Sequence, residues 1–521
     1  MNGFSNKLKG LFATEGAFRT AMTALIIALA VVLNLLIYLL TTTLGLYFYT
    51  IEQVDLTISG STDALFASAI EDERRVSILF CQSRDEVLAN GNGAYVLSTA
   101  EQYAERYPDL ISLEFINIIT KRDSKGNRVD LNKYTTDING NETPIYSTSV
   151  IFASEGGSHI VLNDDYTSDG YAPFFTLVPS SSGFTATSYN GEEVIAAMVC
   201  YALTPAAEHE VVYFTQYHGE SADPALYTIL TCAGYTTEMI DLRSTDIPKN
   251  AAMVYISAPV KDFERAAEGS GIVTEIERLE EYMARGGVVF AAIDPYSVSK
   301  LPVLTNFLKE QGITVATTED TEGKVLPALV RESGSAITAD GFTLVAEYAQ
   351  SDAAESIYGR ISDFGGRVII KSVAALTLDA GSNAQPILKS SGGSVLQSGG
   401  KTVNSDGGYC IAATSTVENE PSESNADGKD GKLFVVPSIY LTAADALIAN
   451  GYSNKDFVYS VFEEIAATKN IPYNCNTVVY DTQTLENLSM GTARLYTALI
   501  MAIPAAIAVV GAVVIIKRKN R

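Results

Sequence analysis

Two long apolar segments without charged side chains, one near each end of the chain, limit what this sequence can fold into. Residues 20–51 and residues 495–516 contain no Asp, Glu, Lys or Arg. About 20 apolar residues in a helix suffice to cross the hydrocarbon layer of a membrane. We therefore predict two transmembrane helices, at 20–44 and 494–516. A cleaved signal peptide is the alternative for the first segment, but the apolar run is longer than is typical and no A-x-A-like cleavage site follows it.

The charged residues beside these segments predict their orientation. Lys7, Lys9 and Arg19 precede the first segment, and a basic tail at 517–521 follows the second. Positively charged flanks stay on the cytoplasmic side of a membrane. We therefore expect a protein of the cell membrane whose two ends, 1–19 and 517–521, are cytoplasmic, and whose long middle part is extracytoplasmic.

The acidity of the chain belongs to this middle part. The 521 residues carry a formal net charge of −25, although both predicted cytoplasmic ends are basic. Phosphate binding needs clustered cations, and no Lys/Arg-rich run interrupts the middle, so we do not expect nucleic acid as a partner. An acidic surface favours solubility and repulsion from anionic lipid, and cation binding is the weaker alternative. The five cysteines form no C-x-x-C motif, so free buried thiols are expected, with one disulfide left open.

Strand and helix patterns alternate between the two apolar segments. We predict a smaller α/β domain at 45–207, followed by a larger α/β domain at 208–490 that contains an insertion. Apolar strands separated by helices predict right-handed crossovers and a parallel sheet covered by helices on both faces. The acidic stretch 414–431 is poor in apolar residues and is predicted to be a mobile loop. The main patterns are strands at 211–215, 235–242, 251–259, 288–295 and 366–378, and helices at 191–203, 271–287, 298–313 and 454–467.

Polar side chains follow three strands of the predicted parallel sheet. His218 and Glu220 come after the first strand, Ser257 after the third and Asp294 after the fourth. Loops at the carboxyl ends of parallel strands form the usual ligand crevice of such a sheet. We therefore expect these four residues to converge on one rim, as a candidate ligand-binding site.

The same residues also have a structural interpretation, which we favour. Glu220 precedes a helix, where acidic side chains stabilise the N-terminus, and Asp294-Pro295 is a good strand terminator. No serine or cysteine lies in a G-x-S-x-G or G-x-C-x-G turn, which would expose a nucleophile. With three histidines and no H-E-x-x-H motif, a zinc site of that kind is absent. We predict no catalytic residue, no metal site and no cofactor.

Several of these stretches together resemble one protein family. They are Asp55-Leu56-Thr57 after the first span, "VYFTQYHGE", the "GY…IDL…IP" segment at 234–248, "ARGGVVFAAIDP", "NKDF", and a last span with a central proline and a basic tail. In this order they resemble the GldG-type auxiliary proteins of ABC transport systems, first associated with gliding motility. Members commonly carry Gly-His-Gly-Glu at the first strand end, where this chain has Tyr217 in place of the first glycine.

The resemblance implies a fold and a set of partners. It implies that the larger domain is similar to class I glutamine amidotransferase-like folds without their nucleophile. It also implies a non-catalytic accessory subunit that works with a multi-span ABC permease and a separate cytoplasmic ATPase. Two other functions stay open: a cell-surface hydrolase or amidotransferase-like enzyme using the same rim, and a stand-alone envelope module that binds glycan.

The predicted spans carry features of helices that contact other helices in a membrane. The amide of Asn34 lies in the middle of the first span, where it is costly unless it finds a partner. Pro504 would kink the second span and leave one carbonyl without its usual donor. A small side chain recurs every four residues in that span and permits close approach of another helix; these residues are Ala498, Ala502 and Ala506. We expect these residues to contact the permease, and packing of the two spans on each other is the open alternative.

Overall fold

The computed structural model describes residues 56–480, apart from 139, 164–173, 181–182, 268, 333–335 and 448–450. Both predicted transmembrane helices, with Asn34, Pro504 and the three alanines, lie outside the described residues, as do both predicted cytoplasmic ends. Within the described part, no helix has the length and apolarity needed to cross a membrane. The described residues belong to one compact unit.

The elements are numbered in chain order. The α-helices of the described part are α1 (Asp63–Glu71), α2 (Arg84–Ala89), α3 (Gly91–Arg106), α4 (Gly191–Leu203), α5 (Pro224–Cys232), α6 (Glu275–Ala284), α7 (Pro302–Glu310), α8 (Asp352–Ile361), α9 (Ala444–Leu447) and α10 (Asn454–Ala466). Short 3-10 helices cover Leu131–Tyr134, Ala206–Glu208, Pro295–Lys300 and Ser362–Phe364. The strands are β1 (Val76–Phe80), β2 (Ile111–Asn117), β3 (Arg122–Asp123), β4 (Val150–Ser154), β5 (His159–Leu162), β6 (Phe175–Ser180), β7 (Gly183–Tyr189), β8 (Val211–Thr215), β9 (Thr236–Ile240), β10 (Ala251–Ser257), β11 (Val288–Ala292), β12 (Ile313–Val315), β13 (Thr317–Glu319), β14 (Val325–Pro327), β15 (Leu329–Arg331), β16 (Thr343–Tyr348), β17 (Val368–Lys371), β18 (Leu376–Leu378), β19 (Ala384–Lys389), β20 (Val395–Ser398), β21 (Lys401–Asn404), β22 (Cys410–Val417), β23 (Gly431–Val436) and β24 (Val478–Val479).

The largest sheet has the strand order β17-β16-β19-β22-β23-β11-β10-β8-β9, with β12 and β18 attached beside this path. Strands β9, β8, β10, β11 and β23 run parallel to one another. From β23 to β17 the pairing is antiparallel. The coarse part of the expected fold class, α/β with a parallel sheet, is therefore confirmed, and the antiparallel half of the sheet is an addition to it.

The apolar composition of the central strands explains why they lie inside. All five residues of β8 and all five of β11 are buried, as expected for parallel strands covered on both faces. A row of aromatic rings crosses four neighbouring strands. Successive ring centroids from Phe214 through Tyr255 and Phe290 to Phe434 are 5.0, 4.6 and 4.8 Å apart. Such cross-strand pairs stabilise the sheet and favour this register.

A second, smaller sheet in the order β3-β2-β1-β4-β5 precedes the large one. Helix α4 packs against β4 and β5 of this sheet and also contacts α3 and α5. Its sequence "GEEVIAAMVCYAL" is apolar nearly all round, and every residue of the helix is buried. One hydrophobic core contains Ile78 of the small sheet, Val199 of α4 and Phe290 of the large sheet. The two sheets, which lie in the predicted regions 45–207 and 208–490, thus share a core.

The acidic stretch predicted as a loop at 414–431 is shorter in the structure. Its first residues continue β22, because they pair with β23 as one of the longer antiparallel ladders of the sheet. The connection is therefore 418–430. The side chain of Asn419 in this connection donates a hydrogen bond to the carbonyl of Met283 at the end of α6, at 2.9 Å.

The outer edge of β17 is covered by a side chain rather than by another strand. The amide of Asn454, the first residue of α10, accepts from the backbone N–H of Ile369 at 2.9 Å and donates to the carbonyl of the same residue at 2.8 Å. The hydroxyl of Ser438 donates to the carbonyl of Lys371 at 2.7 Å. This edge of the large sheet is therefore already hydrogen-bonded, while β9 ends the sheet on the other side.

Candidate functional site

The four residues predicted to form a rim lie at the carboxyl edge of the parallel strands. His218 and Glu220 follow β8, Ser257 ends β10, and Asp294 comes two residues after β11. Strands β8, β10 and β11 are direct neighbours in that order. The structure therefore brings these residues to one edge of the sheet, although only His218 and Glu220 bond to each other.

His218 is held between two carboxylates, of which that of Glu275 is buried. Its Nδ1 lies 2.8 Å from Oε1 of Glu220, and its Nε2 lies 3.0 Å from Oε1 of Glu275. The three side chains are 4%, 9% and 1% exposed, respectively. The imidazole also stacks on the ring of Phe263, with centroids 4.0 Å apart and planes inclined by 5°. The ring is thus fixed on both edges and on one face.

The carboxylates determine the charge of this histidine. Burial alone would lower the pKa of His218, but its contacts with Glu220 and Glu275 outweigh burial and raise that pKa to about 9. Burial would raise the pKa of Glu220, but the hydrogen bonds from His218 and from backbone amides hold it below its usual value. At neutral pH the group is therefore an imidazolium between carboxylates. Nδ1 of His218 is hydrogen-bonded to Glu220, and Nε2 faces Glu275 as an ion pair.

The backbone around His218 is unusual and explains how its side chain turns inward. Tyr217 and Gly219 both have positive φ, 79° and 74°. The carbonyl of His218 accepts hydrogen bonds from the backbone N–H groups of Val260 and Lys261, both at 2.9 Å. The loop after β8 is thus tied to the loop after β10, and the histidine is anchored by its main chain as well as by its ring.

The loops that follow β8, β10 and β11 hold no nucleophile of the strand-turn type among the described residues. Such a nucleophile lies on a strained turn directly after a strand. In the loops after β8, β10 and β11 the residues with positive φ closest to a strand end are Tyr217 and Ala258, the latter at 48°, and neither carries an aliphatic hydroxyl or a thiol. Asp294, after β11, has an ordinary extended backbone with φ of −70°.

Ser257 and Asp294 are both engaged in local structure. The hydroxyl of Ser257 donates to the carbonyl of Ser221 at 2.5 Å, and the N–H of Ser221 donates back to the carbonyl of Ser257 at 3.0 Å. The carboxylate of Asp294 caps the 3-10 helix that follows, accepting from the N–H of Tyr296 at 3.1 Å and from the hydroxyl of Ser297 at 3.2 Å. Both contacts agree with the structural interpretation of these residues.

Two features of the rim were not predicted from the sequence. One is Glu275, in the first turn of α6, where an acidic residue is expected for any helix. The other is a patch of exposed apolar side chains on the surrounding loops, here called the rim patch. Its members are each at least 42% exposed, and they are Tyr217, Val260, Ile272, Val273 and Tyr296. Exposed apolar side chains on neighbouring loops are candidates for an interaction surface.

A cavity of about 440 Å³ lies elsewhere in the described part, lined in part by His209, Tyr235, Lys429 and Thr468. Nε2 of His209 lies 2.9 Å from the hydroxyl of Ser158. Burial lowers the pKa of His209 below its ordinary value, so this histidine is neutral at pH 7. No group of three or more metal-binding side chains occurs among the described residues.

Comparison with known proteins gives distant structural likenesses only. No family model and no curated protein matches the chain. The mmIFT52 N-terminal domain is 16% identical and aligns over 50% of this chain and 99% of its own, with a TM-score of 0.35. A glutamine amidotransferase from Thermotoga maritima is 10% identical over 50% and 98%, with a TM-score of 0.26. A ThuA-like protein from Parabacteroides merdae is 11% identical over 50% and 90%, with a TM-score of 0.27. Likenesses of this strength support no statement about function.

Proposed function

We propose that the chain is a membrane-tethered, extracytoplasmic accessory subunit of an ABC transporter, without catalytic activity, whose rim patch contacts a partner subunit. One observation carries this proposal: His218 lies between the carboxylates of Glu220 and Glu275, and the loops at this edge carry exposed apolar side chains. A buried histidine that is already paired with carboxylates is poorly suited to contact a substrate. Exposed apolar and aromatic residues suit a protein interface.

The membrane part of the proposal rests on the sequence. The uncharged segments and their basic flanks support two spans at 20–44 and 494–516, with both ends cytoplasmic. The partners are a multi-span permease and a separate cytoplasmic ATPase, as in the GldG-type proteins that the chain resembles. Asn34 and the alanine stripe of the second span contact the permease within the bilayer. The larger domain belongs to the glutamine amidotransferase-like folds that lack their nucleophile.

The test is recovery of partner subunits through the rim patch. Tyr217 and Tyr296 are replaced together by Ser, and the tagged full-length protein is purified in mild detergent and examined for any permease and ATPase that neighbouring genes encode. We expect recovery of these partners to fall at least about tenfold, because aromatic anchors dominate interface energies. The matched control is Ile119→Ser, which removes an apolar side chain that is 88% exposed in the turn after β2.

The outcomes separate the parts of the proposal. If the double variant and the Ile119→Ser control recover the permease equally well, the rim patch is not the contact surface. If the unmodified protein recovers neither a permease nor an ATPase, the accessory-subunit function is wrong.

The absence of catalysis needs its own measurement. Purified protein is assayed for hydrolase and amidase activity with and without the substitutions His218→Ala and Glu220→Ala. We expect no activity in either case. An activity that disappears in this double variant while the variant stays folded would instead support the enzyme function.

A further inference from the structure

The first turn of α4 carries two adjacent acidic residues that are both buried. Glu192 and Glu193 are 4% and 2% exposed. The positive end of the helix dipole favours carboxylates at this position. A buried carboxylate is nevertheless costly unless hydrogen-bond donors surround it. The partners of these two side chains therefore indicate what the turn holds together.

Glu192 joins a segment near the start of the described chain to a segment near its end. Its Oε1 accepts from the backbone N–H of Ser59 at 2.9 Å and from the hydroxyl of the same residue at 2.5 Å. Its Oε2 accepts from the backbone N–H of Asn476 at 3.0 Å. Both oxygens of one carboxylate are thus used to hold two segments that are more than 400 residues apart in sequence.

Neighbouring contacts place the same two segments side by side. The side-chain amide of Gln102 in α3 accepts from the N–H of Ile58 at 3.2 Å and donates to the carbonyl of Leu56 at 3.0 Å. Oγ of Ser61 lies 3.9 Å from Sγ of Cys475, so the segments touch each other directly. Beyond Cys475 the chain pairs as β24 with β7.

Glu193 links this point to the large sheet. Its Oε2 lies 2.8 Å from Nζ of Lys455, and its Oε1 accepts from the hydroxyl of Tyr459. Lys455 also donates to the hydroxyl of Thr477 at 3.0 Å. Both Lys455 and Tyr459 belong to α10, which packs on β23 of the large sheet. Burial alone would lower the pKa of Lys455, but the charges of Glu193 and Asp456 hold it above its usual value, so the ion pair persists.

We propose that the first turn of α4 is a clasp, in which Glu192 holds residues 57–61 and 474–477 together and Glu193 fastens them to α10. The clasp is built entirely from described residues and does not depend on a membrane. Its consequence for transport rests on the proposed function. In the sequence, residues 57–61 follow the first predicted span and residues 474–477 precede the second. A movement of α10 would therefore be passed toward both spans through the contacts of Glu192 and Glu193.

The first test uses the contact between Ser61 and the native Cys475. Ser61→Cys places two thiols at the position where Oγ and Sγ are now 3.9 Å apart, close enough for a disulfide after small side-chain adjustment. The full-length protein in membranes is oxidised, and a 61–475 cross-linked peptide is sought by mass spectrometry. We expect this peptide in high yield. The control is Ser77→Cys in β1. The hydroxyl of Ser77 contacts Ser112 and not Cys475, so this variant should give no 77–475 cross-link.

The second test asks whether Glu192 is responsible. In the Ser61→Cys background, Glu192→Ala should slow cross-linking at least about tenfold, since three hydrogen bonds are removed from the two segments. Glu71→Ala, on the exposed face of α1, should leave the rate unchanged. If Glu192→Ala does not fold, Ser59→Ala removes the hydroxyl donor alone and should slow cross-linking by a smaller factor.

The cross-linking results test the clasp without any transporter partner. Absence of the 61–475 link in Ser61→Cys, or an unchanged rate in folded Glu192→Ala or in Ser59→Ala, would overturn the clasp. Because the cross-link is measured in this chain alone, the clasp can be correct even if no permease is ever recovered with it.

Discussion

At the scale of single residues, His218 shows how surroundings fix a charge state and make stability depend on pH. Its pKa rises from 6.5 to about 9 on folding. Because the folded state binds the proton more tightly, the resulting stabilisation is complete below pH 6.5 and is lost as pH rises through 9. We expect a loss on the order of 2 kcal/mol across this window, after allowing for solvent screening. Urea unfolding at pH 6 and pH 9.5 measures it.

The histidines of the chain offer the controls for this prediction. His218→Gln should be less stable at pH 6 and should show a much smaller change toward pH 9.5. His159→Gln should keep the pH dependence of the unmodified protein, because the imidazole of His159 contacts the carbonyl of Thr136 at 2.9 Å and the ring of Tyr134 edge-on but no carboxylate in the contacts of the described residues. An identical pH dependence in His218→Gln would contradict the assignment to His218.

A second residue-scale prediction concerns the glycine beside His218. Gly219 has a φ of 74°, and a Cβ there would lie 2.6 Å from Cγ2 of Val260. Gly219→Ala therefore combines an unfavourable backbone with a steric clash, and we expect a loss of at least about 2 kcal/mol in unfolding free energy. Gly234→Ala is the matched control, because its φ is 88° but no atom lies within 4 Å of the added carbon. There only the backbone cost of about 1 kcal/mol is expected. Equal losses would show that Val260 moves aside.

Much of the candidate site could be predicted at this scale, because the strand ends are local features. His218, Glu220, Ser257 and Asp294 follow apolar runs that are visible in the sequence. Glu275 could not be found in this way, since acidic residues occur in the first turn of most helices. Its contact with His218 depends on how α6 packs over the loop after β8, which is a long-range property.

At the scale of elements, α7 shows how a helix start can be set by a distant residue. A single helix was predicted at 298–313, but the structure has a 3-10 helix, then α7, then β12. Pro302 suits the first helical position because it lacks an N–H that would remain unpaired. The next two N–H groups, of Val303 and Leu304, donate to the carboxylate of Asp262 at 2.8 and 3.1 Å. No local pattern reveals this cap.

The remote cap of α7 gives an element-scale prediction. Asp262→Ala should lower the unfolding free energy by about 1–2 kcal/mol, the usual effect of losing a cap. Asp246→Ala removes an exposed carboxylate that pairs with Arg278 and should cost less than about 1 kcal/mol. Thermal unfolding of both variants compares them. A loss for Asp262→Ala no larger than that for Asp246→Ala would show that the cap contributes nothing.

The strands after β11 were harder to predict than those before it. A single strand was expected at 366–378, but the structure divides it into β17 and β18, with Ser372 at a φ of 48° between them. Nothing in the apolar pattern requires a turn at this serine. The antiparallel pairing of these strands also depends on partners far away in sequence, whereas strand–helix alternation alone predicts the parallel half.

At the scale of the whole molecule, α4 couples the two sheets. The sequence predicted this helix as the end of the first domain, but an apolar pattern all round does not say which sheets will cover it. Ile195 of α4 is fully buried in the common core. Ile195→Ala should cost about 2–5 kcal/mol, and both sheets should lose this stability together.

Hydrogen exchange measures this coupling in the native protein. In Ile195→Ala, the free energy of opening measured at the amides of β1 and at those of β8 should fall by equal amounts. Val403→Ala, at a side chain that is largely exposed on β21, should change neither. A reduction confined to one sheet would mean that the sheets unfold independently.

The side chain of Asn454 across β17 has a consequence for how copies of this protein can associate. Open sheet edges are templates for pairing with another chain. With β17 occupied by an amide, β9 is the end of the strand order at which backbone pairing with another copy can extend the sheet. Two copies that pair through the same strand consume both free edges at once, so such an assembly closes as a symmetric dimer. Pairing through β9 therefore ends in a closed dimer and does not continue into a fibre, even where many copies crowd one surface.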